Sequence, residues 1–405
     1  MPPFAGYLRI NSILRPALDA GIEVADVARI ASVSVCTACV PLDKTTSFAS
    51  RTVKVRYYCL VKIRSSDGVE GLGFCYAGNS AGSIVHTAVQ ELLAPMLIGQ
   101  DSTRVGGLWE EMYREALLQG RTGSVMRALS ALDIALWDLN ARAVKLPLFS
   151  YLGCWTSDRV PAYASGGYYL EGKTSQHLAD EFVSYVKQGF RAVKMKVGRL
   201  TPSEEEDRIR AVREAIGPDV HLMLDANNAW SDLPTALLYC ERYQKYSPYW
   251  IEEPFSPDDL ENHAKLSARC ATNVATGEIE AGRWRFKEIL DKGAAVILQT
   301  DAAVCGGISE WRRIANTAAS YGVTICPHWL HDLHVHLVAS ASNARYVEYF
   351  PDDQVLNFRK LLTRQLEMQD GDLLLPQMPG LGFEFDESAV ATFGLNRPQH
   401  WSVVQ

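Results

Sequence analysis

From residue 153 onward, short apolar runs alternate with amphipathic stretches of helical period. This pattern is typical of parallel strands, which need a helical crossover between one strand and the next. Successive runs begin 23 to 30 residues apart, so the period is nearly constant. They begin near positions 162, 192, 220, 249, 273, 296, 323 and 346. Eight such units predict a closed (β/α)8 barrel over residues 153–351.

An open, doubly wound sheet is the alternative arrangement for the same pattern. Such a sheet would favour a G-x-G-x-x-G turn after its first strand. Residues 164–167 read Ala-Ser-Gly-Gly and do not supply that turn, so the barrel is preferred.

Residues 24–152 carry a different pattern, which predicts an α+β domain. Alternating or apolar runs at 31–41, 53–64 and 69–75 predict three strands, with a turn at Ser66-Asp67-Gly68. Apolar spacings of three and four then predict three helices, over 84–98, 105–118 and 125–143. Residues 1–23 form an N-terminal arm of unassigned structure. Residues 352–405 form a C-terminal segment that we expect to return to the α+β domain.

Charge and composition restrict the partners of the chain. Lys and Arg number 40 against 47 Asp and Glu, for a formal charge of −7, so no excess positive charge favours a nucleic-acid partner. No run approaches the ~18 apolar residues of a membrane span, and we see no secretory signal. Nine scattered cysteines favour free thiols and a cytoplasmic location. We interpret the Cys36-x-x-Cys39 motif as part of a strand.

Ionisable side chains stand at the ends of seven successive predicted barrel strands. The carboxyl ends of barrel strands carry the chemistry of this architecture. Asp225, Glu252 and Glu278 end neighbouring strands, and three hard oxygen ligands suit Mg²⁺ better than zinc. Solvated acids at strand–loop junctions would explain one such residue, but they explain the whole set poorly.

Two further pairs at the same level are candidates for proton transfer. Lys194 and Lys196 are two residues apart and share one side of a strand, where each ammonium group lowers the pKa of the other. Asp301 and His328 end adjacent strands, and a carboxylate that hydrogen-bonds an imidazole fixes its tautomer. The structural alternatives are surface lysines and a core histidine.

Together these groups predict removal of a proton α to a carboxylate. A lysine base would lie on one side of a divalent metal, and the His–Asp pair on the other. Because such a proton is very weakly acidic, the enediolate that forms must be stabilised, by the metal and, if it is protonated, by Glu348.

Several motifs closely resemble the enolase superfamily, mandelate racemase subgroup, over residues 24–400. They are Lys194-Met195-Lys196, Asp225-Ala226-Asn227, Ile251-Glu252-Glu253-Pro254, Gly277-Glu278, Asp301 with Gly306-Gly307, Pro327-His328, Val347-Glu348 and the helix Ser130-Ala131-Leu132-Asp133-Ile134-Ala135-Leu136-Trp137-Asp138. The resemblance implies an α/β fold, a TIM-like barrel whose capping domain is residues 24–152 with the C-terminal tail. It also implies a homo-oligomer, for which an octamer is one candidate.

The resemblance also implies roles for individual residues. It implies three Mg²⁺ ligands, which are Asp225, Glu252 and Glu278. It implies five catalytic residues, which are Lys196 as base, its pKa-lowering neighbour Lys194, the pair His328 and Asp301, and Glu348 as donor to the substrate carboxylate. Asn227 would touch the α-hydroxyl region, and Glu253 would lie behind the direct ligands.

Within the subgroup, the chain is most similar to acid-sugar dehydratases of the galactarate/talarate type. The shared details are Ser165-Gly166-Gly167 and His334-Val335-His336-Leu337. This similarity implies a lyase that removes water from an acid sugar and leaves a 2-keto-3-deoxy acid. A 2-hydroxy acid racemase or epimerase would use the same residues. A non-catalytic homologue would have lost a ligand or a base, and none is lost.

The loops that would contact the substrate depart from that type. Residues 76–82 contain no Lys or Arg, and residues 42–50 offer only Lys44. We therefore expect a mono-acid sugar, an aldonate. The predicted substrate-binding residues are Asn227, Lys44, Tyr76 and Asn79. His331, His334 and His336 favour structural roles, with His331 the candidate to reach the pocket.

Overall fold

The computed structural model describes residues 28–49, 51–352, 356–395 and 400–405, so the predicted arm at 1–23 lies outside the described residues. A four-stranded antiparallel sheet forms the base of the capping domain. Its strands are β1 (Ile30–Ser47), β2 (Thr52–Ser65), β3 (Glu70–Gly78) and, from the C-terminus, β14 (Ser402–Val404). Their order across the sheet is β14-β1-β2-β3. Cys36 and Cys39 lie within β1 as free thiols.

Helices cover one side of this sheet. They are α1 (Ser83–Thr87), a π-helical segment (Ala88–Leu93), a 3₁₀ turn (Ala94–Met96), α2 (Val105–Glu115), α3 (Gly123–Ala143) and α4 (Leu148–Tyr151). The single helix predicted over 84–98 is therefore divided into three parts. Pro95 lies in the last part, where its ring and missing N–H prevent a continuous α-helix.

Helix α3 joins the capping sheet to the barrel. It packs so closely on β3 that a Cβ at Gly73 would lie 1.9 Å from the carbonyl oxygen of Ala131. On its barrel side, Asp133 Oδ2 accepts a hydrogen bond of 2.8 Å from the backbone N–H of Ser309. Because these contacts are buried at both ends, α3 fixes the position of the capping domain over the barrel.

Eight parallel strands form the barrel. They are β4 (Arg159–Gly166), β5 (Ala192–Lys196), β6 (His221–Asp225), β7 (Trp250–Glu252), β8 (Asn273–Thr276), β9 (Ile297–Leu298), β10 (Thr324–Ile325) and β11 (Val347–Tyr349). Each begins within three residues of its predicted position. Strands β4 to β10 pair in chain order, and β11 returns to pair with β4. A parallel bridge between Ile325 of β10 and Ala344, just before β11, joins the two ends of this series. This closure confirms the barrel and excludes the open sheet.

The helices between the strands pack outside the barrel. They are α5 (Ser175–Lys187), α6 (Pro202–Ile216), α7 (Leu233–Gln244), α8 (Leu260–Ser267), α9 (Arg283–Lys292), α10 (Ala302–Cys305), α11 (Gly307–Ser320) and α12 (His331–Ala339). Among the described residues, no helix is both long and apolar enough to cross a membrane.

The C-terminal segment contacts both domains. It contains a 3₁₀ turn (Phe358–Leu361), the hairpin β12 (Met368–Gln369) and β13 (Asp372–Leu374), α13 (Glu387–Phe393) and β14. Strand β14 pairs with β1 of the capping sheet, whereas β13 pairs antiparallel with β4 of the barrel. The segment therefore also covers one edge of the barrel.

Candidate active site

Strand register brings the predicted site residues to one level at the carboxyl end of the barrel. Lys196 is opposite Asp225 in the β5–β6 pair, and Asp225 is opposite Glu252 in the β6–β7 pair. Glu278 follows β8 by two residues. Because neighbouring parallel strands end in phase, side chains from separate parts of the sequence meet here.

Asp225, Glu252 and Glu278 form a cluster of carboxylates. Each offers one oxygen, and the three oxygens lie within 4.8 Å of one another. Asp225 and Glu252 are fully buried, and like charges at this separation repel one another strongly. An all-oxygen donor set is what Mg²⁺ prefers in proteins. The cluster therefore fits a magnesium ion.

The two lysines are buried beside these carboxylates. Lys194 Nζ lies 2.7 Å from Glu252 Oε1 and 2.8 Å from Glu348 Oε1, and Lys196 forms an ion pair with Asp225. Burial lowers the pKa of Lys194, but Glu252 and Glu348 raise it by more, so it lies well above its ordinary value. The pKa of Lys196 is also raised, because Asp225 outweighs burial and the opposing effect of Lys194. Lys194 does lower the pKa of Lys196, as predicted, but the neighbouring carboxylates have the larger effect on the pKa of both lysines.

His328 approaches the same cluster from β10. Its Nδ1 lies 3.1 Å from Asp301 Oδ2, and its Nε2 lies 3.6 Å from Glu278 Oε2. Burial lowers the pKa of His328, but Glu278 and the hydrogen bond with Asp301 raise it to about 9. The imidazole is therefore protonated near neutral pH in this arrangement of protein groups, with Asp301 fixing the orientation of the ring.

Glu348 lies beside Lys194, and its surroundings favour the charged form of its carboxyl over the protonated form that donation to a substrate carboxylate would need. Its Oε2 accepts a hydrogen bond of 2.8 Å from the backbone N–H of Trp329, while Oε1 faces Lys194. Burial raises the pKa of Glu348, but Lys194 and His328 lower it to about 2. Lys194 in contact with the carboxylate and the nearby His328 both favour its charged form.

A cavity of about 330 Å³ lies between the barrel and the capping domain, which is within the size range of small-molecule sites. Tyr76 and Asn79, from β3 and the loop after it, line this cavity. The predicted barrel residues that line it are Lys196, Asn227, Glu278, Asp301, His328 and Glu348. Asn227 also donates a hydrogen bond to Asp225, so it lies between the carboxylate cluster and the cavity.

The structure places Lys44 outside this cavity, which corrects its assignment as a substrate-binding residue. Lys44 lines a separate, larger cavity of about 690 Å³ with Ser165, Lys173 and His177. The pairing of β1 with β2 shifts register between Pro41 and Thr46, and this irregularity carries Lys44 away from the barrel mouth. The carboxylate cluster, Lys196 and His328 do not line the larger cavity.

Three arginines that the sequence did not single out line the candidate site instead. Arg51 directly precedes β2, Arg56 lies within β2, and Arg127 comes from α3. The premise of a mono-acid substrate was the lack of basic residues in two loops. The composition of those loops does not by itself favour a mono-acid substrate, because basic side chains reach the cavity from β2, from the residue before it and from α3. The sequence offered one indication of these arginines. Arg56 shares a face of β2 with the buried residues Tyr58 and Leu60, so its side chain is expected to point inward.

The three histidines after β10 have structural contacts. His334 Nε2 accepts a hydrogen bond from the backbone N–H of Ala302, and His336 Nδ1 accepts one from that of Phe149. His331 is buried with its ring 4.9 Å from that of Tyr349. It is not among the residues that line the candidate site.

Asp332 gives a prediction about stability. Burial raises its pKa from 3.8 to about 7, although Arg359 lowers it. Within the described residues its oxygens accept no hydrogen bond, and His331 Nε2 lies 3.5 Å away. Because the folded carboxyl holds its proton more tightly than the unfolded one, rising pH removes stability between these two values. Asp332→Asn should therefore increase the free energy of unfolding more at pH 8 than at pH 5.

Urea titration at both pH values measures this effect. Asp258→Asn is the matched control, because its side chain is 98% exposed, and it should change neither value. An Asp332→Asn protein that loses as much stability as the wild type between pH 5 and pH 8 would contradict the prediction.

Comparison with known proteins agrees with this architecture. Residues 30–153 match the mandelate racemase / muconate lactonizing enzyme N-terminal domain, and residues 177–389 match the enolase C-terminal domain-like family. The arabinonate dehydratase of Saccharolobus solfataricus is 35% identical over 80% of this chain and 86% of its own length. The L-talarate/galactarate dehydratase of Salmonella typhimurium is 34% identical over 82% of this chain and 81% of its own length.

A solved structure extends the similarity to three dimensions. The Salmonella typhimurium L-talarate/galactarate dehydratase, crystallised with Mg and L-lyxarohydroxamate, superposes with a TM-score of 0.86 at 30% identity, covering 94% of this chain and 96% of that chain. The capping domain and the barrel therefore both match enzymes of one group. The chain belongs to the mandelate racemase subgroup of the enolase superfamily.

Proposed function

We propose that the protein is a Mg²⁺-dependent acid-sugar dehydratase that converts its substrate to a 2-keto-3-deoxy acid. The observation that carries this proposal is the single cavity lined by Lys196, from β5, and His328, from β10. These are two proton-transfer groups on separate strands, with the carboxylate cluster beside both. The dehydratase names of the two similar relatives support the same reaction class.

Asp225, Glu252 and Glu278 are the residues that would hold the magnesium ion. When bound there, the ion supplies positive charge that stabilises a carboxylate whose α-proton is being removed. The Asp225 carboxylate that now pairs with Lys196 would then be shared with a second cation. Its hold on the lysine proton would weaken, which favours the base role of Lys196.

The proposed reaction needs one proton removed and one proton delivered. Lys196 Nζ takes the proton from C2, and the C–H electron pair moves into the enediolate of the substrate. His328 gives its proton to the C3 hydroxyl, which leaves as water while its bonding electrons depart with it. The enol that remains gains a proton at C3 and releases the proton of its C2 hydroxyl, and so becomes the 2-keto-3-deoxy acid. Asp301 orients the imidazole throughout.

The remaining residues bind and orient the substrate. Lys194 and Glu348 form a buried ion pair at the floor of the site, where Lys194 would attract the substrate carboxylate and Glu348 would keep the lysine in position. Asn227, Tyr76 and Asn79 line the cavity and would contact the hydroxyl groups.

The test is an acid-sugar screen with purified protein and Mg²⁺, in which 2-keto acid is read as its semicarbazone. We expect product from at least one acid sugar in the wild type and none in Lys196→Ala. A racemase or epimerase remains the second candidate, since it would also place one base on each side of C2. Interconversion of C2 epimers without 2-keto acid would replace the proposed reaction with that one.

A further inference from the structure

Two cysteines from separate parts of the chain meet among the helices outside the barrel. Cys240 lies in α7, and Cys270 lies in the connection between α8 and β8. Cys240 is buried in an apolar cluster of the barrel, and Cys270 packs against that cluster while staying partly exposed. The pair therefore has one thiol that solvent reaches and a second thiol behind it.

Hydrogen bonds converge on the sulfur of Cys270. The Cys240 thiol donates one, and the backbone N–H and the side chain of Thr272 donate others. The bond from Cys240 is the largest cause that lowers the pKa of Cys270 to about 6, and Thr272 adds to it, while burial opposes both. The thiolate of Cys270 is therefore well populated near neutral pH, and the thiolate is the reactive form of cysteine.

Cys240 has the opposite character. The same hydrogen bond and burial raise its pKa above the ordinary value, so it remains a thiol. A proton donor in contact with a thiolate is an arrangement in which one sulfur reacts first and the other reacts second. Neither cysteine lines the candidate active-site cavity, so this pair is separate from the proposed function.

A second cysteine pair provides an internal comparison. Cys59 and Cys75 are directly opposite each other in the β2–β3 pair and are also hydrogen-bonded. Both are fully buried, and the hydrogen bond with Cys75 and burial raise the pKa of Cys59 well above its usual value. Because a solvent-borne oxidant does not reach a fully buried thiol, we expect this pair to stay reduced.

We infer that Cys270 and Cys240 form a reversible oxidation site, in which Cys270 reacts with a peroxide and Cys240 completes a disulfide. The Cys270 thiolate attacks one oxygen of hydrogen peroxide, the O–O bond breaks, and the departing hydroxide takes up a proton to become water. Cys270 is then a sulfenic acid. The sulfur of Cys240 attacks the sulfur of Cys270, an S–S bond forms, and the S–O bond breaks. The departing hydroxide takes the thiol proton and leaves as a second water, so two thiols are oxidised and one peroxide is reduced.

Cys240 makes the oxidation of Cys270 reversible. A sulfenic acid with no thiol beside it proceeds to sulfinic acid, which ordinary thiols do not reduce. A disulfide, by contrast, returns to two thiols by exchange with a dithiol.

The test maps the thiols of the full-length protein after treatment with hydrogen peroxide at pH 7. Free thiols are alkylated, the protein is digested without reduction, and the peptides are identified by mass spectrometry. We expect the wild type to lose the two thiols of Cys240 and Cys270 together, to yield the cross-linked peptides that contain them, and to recover both thiols in dithiothreitol. Cys154→Ser is the matched control, because Cys154 is exposed, and it should give the same disulfide.

Two variants separate the roles of the pair. In Cys240→Ser, dimedone should trap Cys270 as the sulfenic acid, and longer treatment should give a product that dithiothreitol does not restore. In Cys270→Ser, Cys240 should remain a free thiol. Thermal unfolding shows whether each variant is folded, and the mapping of the wild type stands without them. Absence of the Cys240–Cys270 cross-link in the wild type, or equal irreversible oxidation of Cys270 in the wild type and Cys240→Ser, would overturn the inference.

Discussion

Replacing Lys196 by alanine is expected to abolish both dehydration and exchange of the C2 proton with solvent, whereas His328→Asn should abolish dehydration alone. Lys196 ends β5, His328 lies three residues after β10, and both line the same cavity, so we expect them to approach the substrate from different sides. If Lys196 removes the C2 proton, a protein without His328 still forms the enediolate and can return a deuteron to the same face. A protein without Lys196 cannot begin the reaction.

Deuterium incorporation at C2 of an (S)-configured substrate, followed by NMR, separates these outcomes from loss of 2-keto acid. General acid–base help is worth about 10² to 10⁴ in rate for each group, so both losses are measurable in an ordinary assay. Lys187→Ala is the matched control, because Lys187 is exposed near the end of α5. If His328→Asn dehydrates normally, or Lys196→Ala retains exchange, the assignment of the two groups is wrong.

The spacing of apolar runs predicted the barrel well because each buried strand leaves a local signal. The runs near 249 and 323 each contain only a few residues, yet strands form at Trp250–Glu252 and Thr324–Ile325. A constant period supplies what a single short run lacks. The position of Glu252 at a strand end then followed directly, since strand ends meet at one face of a closed barrel.

The capping-domain residues that line the site could not be predicted in the same way. Whether Lys44 or Arg56 reaches the cavity depends on side-chain direction in the β1–β2 hairpin, and the register shift after Pro41 changes that direction. Arg127 lies in the second turn of α3, where its sequence context is that of an ordinary amphipathic helix. Only the packing of α3 over the barrel brings it to the cavity.

The protonation states were also beyond sequence reasoning. The low pKa of Glu348 depends on the positive charges of Lys194 and His328. Lys194 belongs to β5, which is distant in sequence from the strand of Glu348. The spacing of two residues places Lys194 near Lys196. It does not show that each ammonium group lies against a carboxylate, Glu252 for Lys194 and Asp225 for Lys196.

Removing magnesium with EDTA should eliminate dehydration, and adding Mg²⁺ back should restore it. Among single variants, Glu252→Gln is expected to weaken Mg²⁺ binding far more than Glu253→Gln. Glu252 belongs to the cluster whose oxygens lie within 4.8 Å of one another. Its Oε2 accepts a hydrogen bond of 3.1 Å from Trp250 Nε1, and its Oε1 contacts Lys194, so the carboxylate is held in position.

Glu253 is the matched comparison because it is also buried and has the same charge. Its backbone has a φ of +42°, which turns the chain at this point, and its side chain is not part of the three-residue cluster. Changes to residues behind a metal's direct ligands typically cost ~10- to 100-fold in affinity. Calorimetric titration with Mg²⁺ should therefore show a loss within that range for Glu253→Gln and a larger one for Glu252→Gln. Equal losses would mean that Glu253 also binds the ion, and unimpaired turnover in EDTA would mean that the carboxylate cluster has no catalytic metal.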